Sequence, residues 1–316
     1  MNEPRHSKYQ RLIDFCIDLP DEPCAIVHPC DEPSLSGAIR AAQMGLIKPI
    51  LVGPRARIEA AAAEAGLDIT PYELIDTAHS HESAARGTQL VAQGRATMLM
   101  KGSLHTDELL GSVVSREAGL RTERRISHCF VMDVPLLDRV VIIADAAINI
   151  FPTLAEKVDI VQNAIDLAQA LGNPQPKVAI LSATESVNPK IQSTIEAAAL
   201  CKMADRGQIT GGLLDGPLAL DNAVSLTAAR IKKLDSPVAG RADILIAPDL
   251  EAGNMLAKSL SFMADADAAG IVVGARVPII LTSRADTLEA RLASVAIAVL
   301  LVHHRTQRMK SALSGA

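Results

Sequence analysis

The sequence predicts an α/β protein with two α/β lobes and a ligand-binding cleft between them. Short apolar runs alternate with amphipathic stretches along the 316 residues, which is typical of a mostly parallel sheet covered by helices. Aromatic residues make up 2% of the chain, whereas 49% of all residues are hydrophobic. We therefore expect a core of Ala, Val, Ile and Leu, as in parallel sheets that pack closely against helices.

Helical patterns in the first half of the chain end at glycines. PSLSGAIRAAQMG leads to Gly45 and RARIEAAAAEAG leads to Gly66, as expected of helix C-termini. HTDELLGSVVSREAG, residues 105–119, has the spacing of another helix. Four apolar runs predict buried strands. They are CAIVHP (24–29), KPILVG (48–53), ATMLMKG (96–102) and RVVIIAD (139–145).

The second half of the chain contains two helix-start signals. Thr153 and Glu156 have the T-x-x-E spacing of a capping box, which begins a helix. Asn188 followed by Pro189 predicts an N-cap and a first-turn proline, for a helix that runs to Gly207. The remaining apolar runs predict the last strands: KVAILS (177–182), ADILIAP (242–248) and VPIILTS (277–283).

Two domain boundaries follow from this order. The chain leaves the first α/β domain near residue 148 and returns to it near residue 268. The first domain is then residues 1–148 plus 268–316, and the second is residues 149–267. Ligands of such folds bind in clefts at the carboxyl ends of strands.

Charge and cysteine usage exclude several classes of protein. The formal net charge is −5, so we expect no nucleic-acid or membrane partner. The five cysteines are odd in number and lack C-x-x-C spacing, which argues against a disulfide framework or a thiolate zinc site. The polar start MNEPRHSKYQ has no signal-peptide pattern, and no apolar run approaches the length of a membrane span. We expect a soluble, cytoplasmic protein.

Missing motifs narrow the chemistry further. The sequence has no G-x-G-x-x-G after its first strand, no G-x-x-x-x-G-K-[ST] and no G-x-S-x-G, which argues against dinucleotide, P-loop and α/β-hydrolase sites. The histidine pairs His79/His81 and His303/His304 lack the i, i+4 spacing of a helical metal site. We expect neither a metal nor a permanently bound cofactor.

Two strand ends carry residues suited to an anion. Gly253-Asn254 lies where a helix begins after a predicted strand, so its backbone amides could meet a phosphate oxygen. The alternative is a plain turn capped by Asn254. Lys101, before Gly102 at the end of another strand, could also meet an anionic ligand, or its side chain could simply extend to the surface.

An arginine-rich turn is a further candidate. Arg121, Arg124, Arg125 and His128 come just before an apolar strand. Such a turn is usually a solvated surface, but an arginine can also bind phosphate with two parallel hydrogen bonds. We include Arg125, with Lys101, among the predicted substrate-binding residues.

The stretch LTSRADTLEARL, residues 281–292, places Ser283 and Arg284 between a strand and a long helix. An arginine beside a hydroxyl at a strand end makes an anion-binding corner. Asp286 and Glu289 have the D-x-x-E spacing of a capping box, so Asp286 could serve only to start the helix. The residues by themselves predict a small phosphorylated or carboxylated ligand and leave its identity open.

Three long strings resemble the phosphate acetyltransferase/phosphate butyryltransferase family. The VNP, RGQI, DGPLA and TSRAD pieces are most similar to its butyryl-like branch and to the acetyltransferase-like domain fused to enoyl-CoA hydratases. The strings are ESVNPKIQSTIEAAALCKMADRGQITGGLLDGPLALDNAVS (185–225), SPVAGRADILIAPDLEAGNMLAKSL (236–260) and VPIILTSRADTLEARLASVAIA (277–298).

The resemblance implies a fold, a reaction and an assembly. The fold is a two-domain, three-layer α/β/α architecture like that of isocitrate and isopropylmalate dehydrogenases, with the active site in the interdomain cleft. The reaction is reversible acyl transfer between CoA and inorganic phosphate through a ternary complex, in which the CoA thiolate attacks the acyl phosphate. The substrates are CoA, acyl-CoA, phosphate and acyl phosphate, and the expected assembly is a homodimer.

The resemblance also implies roles for individual residues. Ser283 would hydrogen-bond the developing oxyanion, and Arg284 would hold the phosphate. The family's PDL-AGN motif assigns anion binding to Gly253 and Asn254.

The general base departs from the pattern of the acetyl branch. There an aspartate follows the Ser-Arg pair by about two helical turns, a position that is Ala290 in this chain. We assign the base to Asp286, with Glu289 as second choice. A cysteine of the acetyl branch is replaced by Ala146, so a thiol cannot take part at that position.

Two other functions remain open at this point. The missing acid at Ala290 favours a non-catalytic acyl-CoA-binding regulatory module of the same fold. A dehydrogenase acting on a hydroxy acid is a weaker alternative, because no nicotinamide site or metal–carboxylate cluster is found.

Overall fold

The computed structural model describes residues 7–282 and 286–314. The predicted catalytic residues Ser283 and Arg284 lie outside the described residues. The strands are β1 (Glu22–Val27), β2 (Ile47–Gly53), β3 (Glu73–Asp76), β4 (Met98–Lys101), β5 (Ser127–Asp133), β6 (Val141–Ala144), β7 (Lys177–Leu181), β8 (Leu213–Leu218), β9 (Ile244–Ile246), β10 (Asp267–Val273) and β11 (Ile279–Ile280).

Helices alternate with these strands along most of the chain. They are α1 (Ser7–Ile17), α2 (Glu32–Gln43), α3 (Arg55–Ala65), α4 (Ser80–Ala92), α5 (Thr106–Val113), α6 (Leu154–Ala170), α7 (Gln192–Asp205), α8 (Leu220–Val224), α9 (Leu226–Ile231), α10 (Leu250–Met263) and α11 (Leu288–Ser314). The predicted α/β class is therefore confirmed. No helix in the described part of the chain is both long enough and apolar enough to cross a membrane.

The described residues divide into two compact units. Unit I comprises residues 9–124 and 269–314, and unit II comprises residues 7–8 and 125–268. The domain boundaries predicted near residues 148 and 268 remain predictions.

The sheet of unit I has the strand order β3-β2-β1-β4-β11-β10. Its neighbouring strands are parallel, except that β10 and β11 are antiparallel. Strand β4 pairs with β11 in the register Leu99–Ile279 and Met100–Ile280. Their carboxyl ends, which lead to Lys101 and to Thr282, therefore lie at the same edge of the sheet.

The sheet of unit II has the order β5-β6-β9-β7-β8. Here β5 and β6 are antiparallel and the other neighbours are parallel. Its buried core is aliphatic and includes Met132, Val141, Ile143 and Leu245. Strands β6 and β9 consist entirely of buried aliphatic residues, as the low aromatic content predicted.

Of the two helix starts predicted in the second half of the chain, one is confirmed and one is wrong. The capping box is confirmed, because Thr153 and Glu156 each accept the backbone N–H of the other at the start of α6. The helix start at Asn188 is wrong. The Asn188 side chain accepts the Lys190 N–H at 3.0 Å, and its carbonyl accepts the Ile191 N–H at 2.9 Å. These bonds close a local turn, and α7 begins only at Gln192.

One predicted strand is shorter than expected. CAIVHP was predicted as a strand to residue 29, but β1 ends at Val27. His28 has a φ of +60°, a left-handed conformation that ends extended pairing.

Candidate active site

The two residues after β11 differ in burial: Leu281 is half-buried and Thr282 is buried. The Thr282 side chain is 6% exposed. Because Ile280 pairs with Met100, the next positions along the two strands are Leu281 and Lys101. The residues at 283 and 284 therefore follow, in the chain, from the strand end that neighbours Lys101.

The cap of α11 differs from the sequence interpretation. The helix begins at Leu288, and the Thr287 hydroxyl accepts the Ala290 N–H at 3.2 Å. Thr287 is therefore the N-cap, and the predicted capping box of Asp286 with Glu289 is wrong. Asp286 lies one residue before this cap and is half-buried, so its predicted role as general base stays a prediction.

Ala290 occupies the position at which the acetyl branch has an aspartate. Its side chain is 3% exposed, whereas Glu289 on the same turn is exposed to solvent. Asp286 lies before the helix and is half-buried. Of the two carboxylates considered as the base, Asp286 is therefore the less exposed.

Lys101 lies at the carboxyl end of β4 and is half-buried. Its Nζ donates to the Gly102 carbonyl at 3.1 Å. A Cβ at Gly102 would lie 2.5 Å from the His28 carbonyl oxygen, so only glycine allows the two chain segments to approach this closely. The Ser103 hydroxyl donates to the same His28 oxygen at 3.0 Å. These contacts join the ends of β1 and β4.

His28 anchors a hydrogen-bond chain that sequence reasoning missed. Its buried ring lies 3.0 Å from the Ser83 Oγ through Nδ1, and Ser83 is 2.8 Å from the Thr77 hydroxyl. The Arg57 guanidinium lies 3.3 Å from Nε2. Because Arg57 can only donate, Nε2 accepts and the ring is neutral. Burial, and then the Arg57 charge, lower the pKa of His28.

In unit II, the loop after β6 is organised around one buried carboxylate. Asp145 is 3% exposed. Its Oδ1 accepts the Ala147 and Ile148 N–H groups at 2.9 and 3.0 Å. Its Oδ2 accepts the backbone N–H of Asn149 at 3.2 Å and the side-chain Nδ2 at 2.5 Å. Four donors therefore hold this carboxylate and give residues 145–149 one conformation.

Gly253 and Asn254 lie inside α10 and contact this loop. The N-cap of α10 is Asp249, which accepts the Ala252 N–H at 2.8 Å, so the alternative of Asn254 as the cap is wrong. The Gly253 N–H donates to the Asp249 carbonyl at 3.1 Å. The Gly253 amide is thus used inside α10, and anion binding by residues 253 and 254 stays a prediction.

The two residues contact the loop backbone. A Cβ at Gly253 would lie 2.3 Å from the Asp145 carbonyl oxygen. The Asn254 Nδ2 donates to the Ala146 carbonyl at 3.1 Å. Gly253 thus permits the approach of the loop, and Asn254 fixes it.

Arg125 reaches the same loop from the start of β5. Its Nε donates to Asn149 Oδ1 at 2.8 Å, and its NH1 lies 3.2 Å from the Glu156 carboxylate. Its backbone N–H donates to Asp159 at 2.8 Å. The structure therefore brings Arg125, Gly253 and Asn254 together around residues 145–149. The Arg125 side chain is about half exposed, at 52%.

His128 is a buried residue close enough to Asp145 to be affected by its charge. It is 1% exposed and packs edge-on against Phe130, with ring centroids 4.4 Å apart. Burial lowers its pKa to about 4, with the Asp145 charge acting in the opposite direction. The ring is therefore neutral at pH 7. Sequence reasoning placed His128 in a solvated turn and missed its burial.

Arg291 is a second residue that the sequence analysis did not single out. It is 4% exposed, and its NH1 donates to the Thr282 hydroxyl at 3.1 Å. A charged residue within the apolar stretch ARLASVAIAVLLV was the available signal. Among the described residues, no group of three His, Cys, Asp or Glu side chains is placed to hold a metal ion.

Comparison with known proteins gives consistent results. The family described as "Phosphate acetyl/butaryl transferase" matches residues 79–299. The phosphate acetyltransferase of Rhizobium meliloti is 61% identical over 299 residues, which cover 95% of each chain. The phosphate butyryltransferase of Clostridium acetobutylicum is 42% identical over 275 residues, covering 87% of this chain and 91% of that one.

A solved structure agrees in fold. The branched-chain phosphotransacylase of Enterococcus faecalis V583 superimposes with a TM-score of 0.79 at 31% identity. The match covers 90% of this chain and 99% of that protein.

Proposed function

Because this chain belongs to the phosphate acetyl/butyryl transferase family, we propose that it is a phosphate acyltransferase. The reaction is acyl-CoA plus inorganic phosphate giving acyl phosphate plus CoA, and it is reversible. The structural observation that supports the proposal is the pairing of β4 with β11. It puts Lys101 and the strand that continues into TSRAD at one edge of the sheet, where α/β proteins bind ligands.

In this proposal, the carboxyl edge of the sheet binds the phosphate group of the substrate. We assign Arg284 to the phosphate oxygens, with Lys101 as a second positive charge, because an arginine can make two parallel bonds to phosphate. Ser283 donates to the carbonyl oxygen that gains negative charge in the transition state. A preorganised donor of this kind contributes roughly 3–4 kcal/mol to catalysis.

Asp286 is the proposed general base. It takes the proton from the CoA thiol, and the resulting thiolate attacks the carbonyl carbon of the acyl phosphate. The carbon–sulfur bond forms, and the bond from carbon to the phosphate oxygen breaks with its electron pair, which releases phosphate. Holding both substrates in one ternary complex replaces a bimolecular encounter.

Residues of unit II take a supporting part in the proposal. We assign substrate contact to Arg125, whose guanidinium would exchange its exposed Glu156 partner for an anionic group of the substrate. Gly253 and Asn254 hold the loop 145–149, and through Asn149 they set the position of Arg125.

The acyl chain, the assembly and the compartment are parts of the same proposal. Acetyl-CoA is the first substrate to test, because the acetyltransferase of R. meliloti is the more similar of the two relatives described above. We expect a homodimer in the cytoplasm. The five cysteines are free thiols, which agrees with a reducing compartment.

The decisive experiment follows release of free thiol from acetyl-, propionyl- and butyryl-CoA, with and without phosphate. We expect phosphate-dependent release, with one of the three preferred. The Ser283→Ala and Arg284→Met variants should lose most of it, while Arg308→Met, at an exposed position of α11, should retain it. A folded wild-type protein that binds CoA but releases no thiol above background would overturn the proposal.

A further inference from the structure

Arg291 is a buried arginine in the first turn of α11, and stability alone does not explain its place in the fold. It is 4% exposed, and the neighbouring Leu292 is 7% exposed. Taking a guanidinium out of water is costly, and an apolar side chain of similar length at such a position is often neutral or stabilising. The arginine therefore points to a function other than holding the helix.

A glycine on a neighbouring helix makes room for it. A Cβ at Gly37, inside α2, would lie 3.2 Å from Arg291 Cδ and 3.7 Å from Arg291 Cβ. Glycine inside a helix is less favourable than alanine. The fold thus accepts two unfavourable choices, a mid-helix glycine and a buried charge, and both serve to place one guanidinium.

The guanidinium acts on the residue that precedes Ser283. Arg291 NH1 donates to the Thr282 hydroxyl at 3.1 Å, and Thr282 is itself buried. The Arg291 backbone N–H makes the first-turn bond to the Thr287 carbonyl at 3.1 Å, so the side chain extends from a rigid helix start. Arg291 therefore links the end of β11 to the start of α11, across the segment that carries the proposed catalytic residues.

We propose that Arg291 is a positioning residue for acyl transfer, which sets Thr282 and thereby the Ser283-Arg284 pair that follows it. This inference rests on the proposed function for the identity of the reaction. It adds a residue that acts through Thr282 rather than on the substrate, and a small displacement at such a position is enough to reduce the rate about 100-fold.

The test is a double-mutant cycle with matched variants. Arg291→Met keeps the apolar stem and removes the charge and the donors, while Thr282→Val removes the acceptor with little change of shape. We expect kcat to fall about 100-fold in Arg291→Met, with a smaller fall in Thr282→Val. The double variant should be slower by less than the product of the two single effects, because the two substitutions share the Arg291–Thr282 bond.

Rescue and displacement variants separate positioning from folding. Thr282→Ser restores the hydroxyl and should recover most of the kcat lost in Thr282→Val. Gly37→Ala displaces the Arg291 stem without changing its chemistry and should lower kcat in the same direction. Arg308→Met, the same substitution at an exposed position further along α11, is the control and should leave kcat unchanged. The KM for acyl-CoA should stay within about threefold in all variants.

A second readout does not depend on activity. Hydrogen exchange of the peptide spanning residues 281–290 should be at least several-fold faster in Arg291→Met than in wild type or Arg308→Met. An active wild type with unchanged kcat and unchanged exchange in Arg291→Met would overturn the positioning role and leave the proposed function standing. A wild type without phosphate-dependent thiol release would overturn the proposed function, and the exchange comparison would still decide whether Arg291 orders this segment.

Discussion

Gly253 in α10 and Asp145 at the end of β6 are in contact through their backbones. A Cβ at residue 253 would lie 2.3 Å from the Asp145 carbonyl oxygen. The nearest atom is backbone, which cannot rotate away as a side chain can. Gly253 is therefore required by packing against the loop, whatever its relation to the substrate.

We expect Gly253→Ala to lower the free energy of unfolding by about 1–3 kcal/mol through overpacking, and to reduce activity by moving the loop. Gly111→Ala in α5 is the matched control, because nothing lies within 4 Å of its added Cβ. That control should be neutral or stabilising by up to about 1 kcal/mol. Denaturant unfolding of both variants checks the difference, and equal effects would contradict the packing argument.

The Asp145 carboxylate should be intolerant of even an isosteric change. In Asp145→Asn one oxygen becomes an NH₂ group facing donors of Asn149 or of the loop amides. We expect a loss of roughly 2–4 kcal/mol in the free energy of unfolding. Asp138→Asn, whose side chain is 89% exposed, should have no measurable effect. Chemical denaturation of the two variants provides the measurement.

Substitutions of Thr287 and Asp286 should affect different properties, stability in the first case and catalysis in the second. Thr287→Ala removes the N-cap of α11 and should cost about 1 kcal/mol of stability, with a modest effect on rate. Asp286→Asn should reduce kcat by about 100-fold or more, as expected on loss of a general base, without a matching loss of stability. If Asp286→Asn destabilises the fold and spares kcat, the assignment of the base is wrong.

His128 should make stability depend on pH below neutrality. Its pKa is lowered in the native state to about 4, so the unfolded chain binds a proton at a higher pH than the native protein does. The unfolded state then holds more protons between about pH 6.5 and 4, and stability is lost as the pH falls through this window.

Replacing His128 by Leu should remove part of this dependence, by a few kcal/mol at most between pH 7 and pH 4. His81→Gln, on an exposed side chain, should leave the dependence unchanged. Unfolding free energies measured at several pH values provide the test. An unchanged slope in His128→Leu would show that other groups produce the acid sensitivity.

Much of the fold could be predicted because it depends on local patterns. The alternation of apolar and amphipathic runs predicted β1, β2, β4, β6, β7 and β9 with their helices, and the T-x-x-E spacing predicted the capping box of α6. Strands β3, β8 and β10 were missed. Neither β3 nor β8 has a long β-branched run, and each is a strand because a neighbouring strand offers hydrogen bonds. Strand β10, DAAGIVV, begins with one acidic and three small residues, which weaken its strand pattern.

The candidate site could be predicted less well, since its chemistry depends on contacts between distant segments. The position of Lys101 at a strand end was predicted, and its role at the site stays a prediction. Arg291 was not singled out, because its bond to Thr282 appears only in the folded chain. Asp286 and Thr287 offered two competing caps, which the local spacing could not distinguish. The geometry of the helix start chose Thr287.

The sequence by itself determined the α/β class and the family, and it singled out TSRAD as the candidate catalytic segment. Apolar periodicity and long strings that resemble a family are properties of the chain alone. The tertiary structure decided what each residue does. It placed Gly253 and Asn254 against the loop at Asp145, and it buried His128 and Arg291. The physical reason is that desolvation and close packing depend on which atoms lie opposite a residue, and for Asn254 those atoms come from a loop 108 residues away.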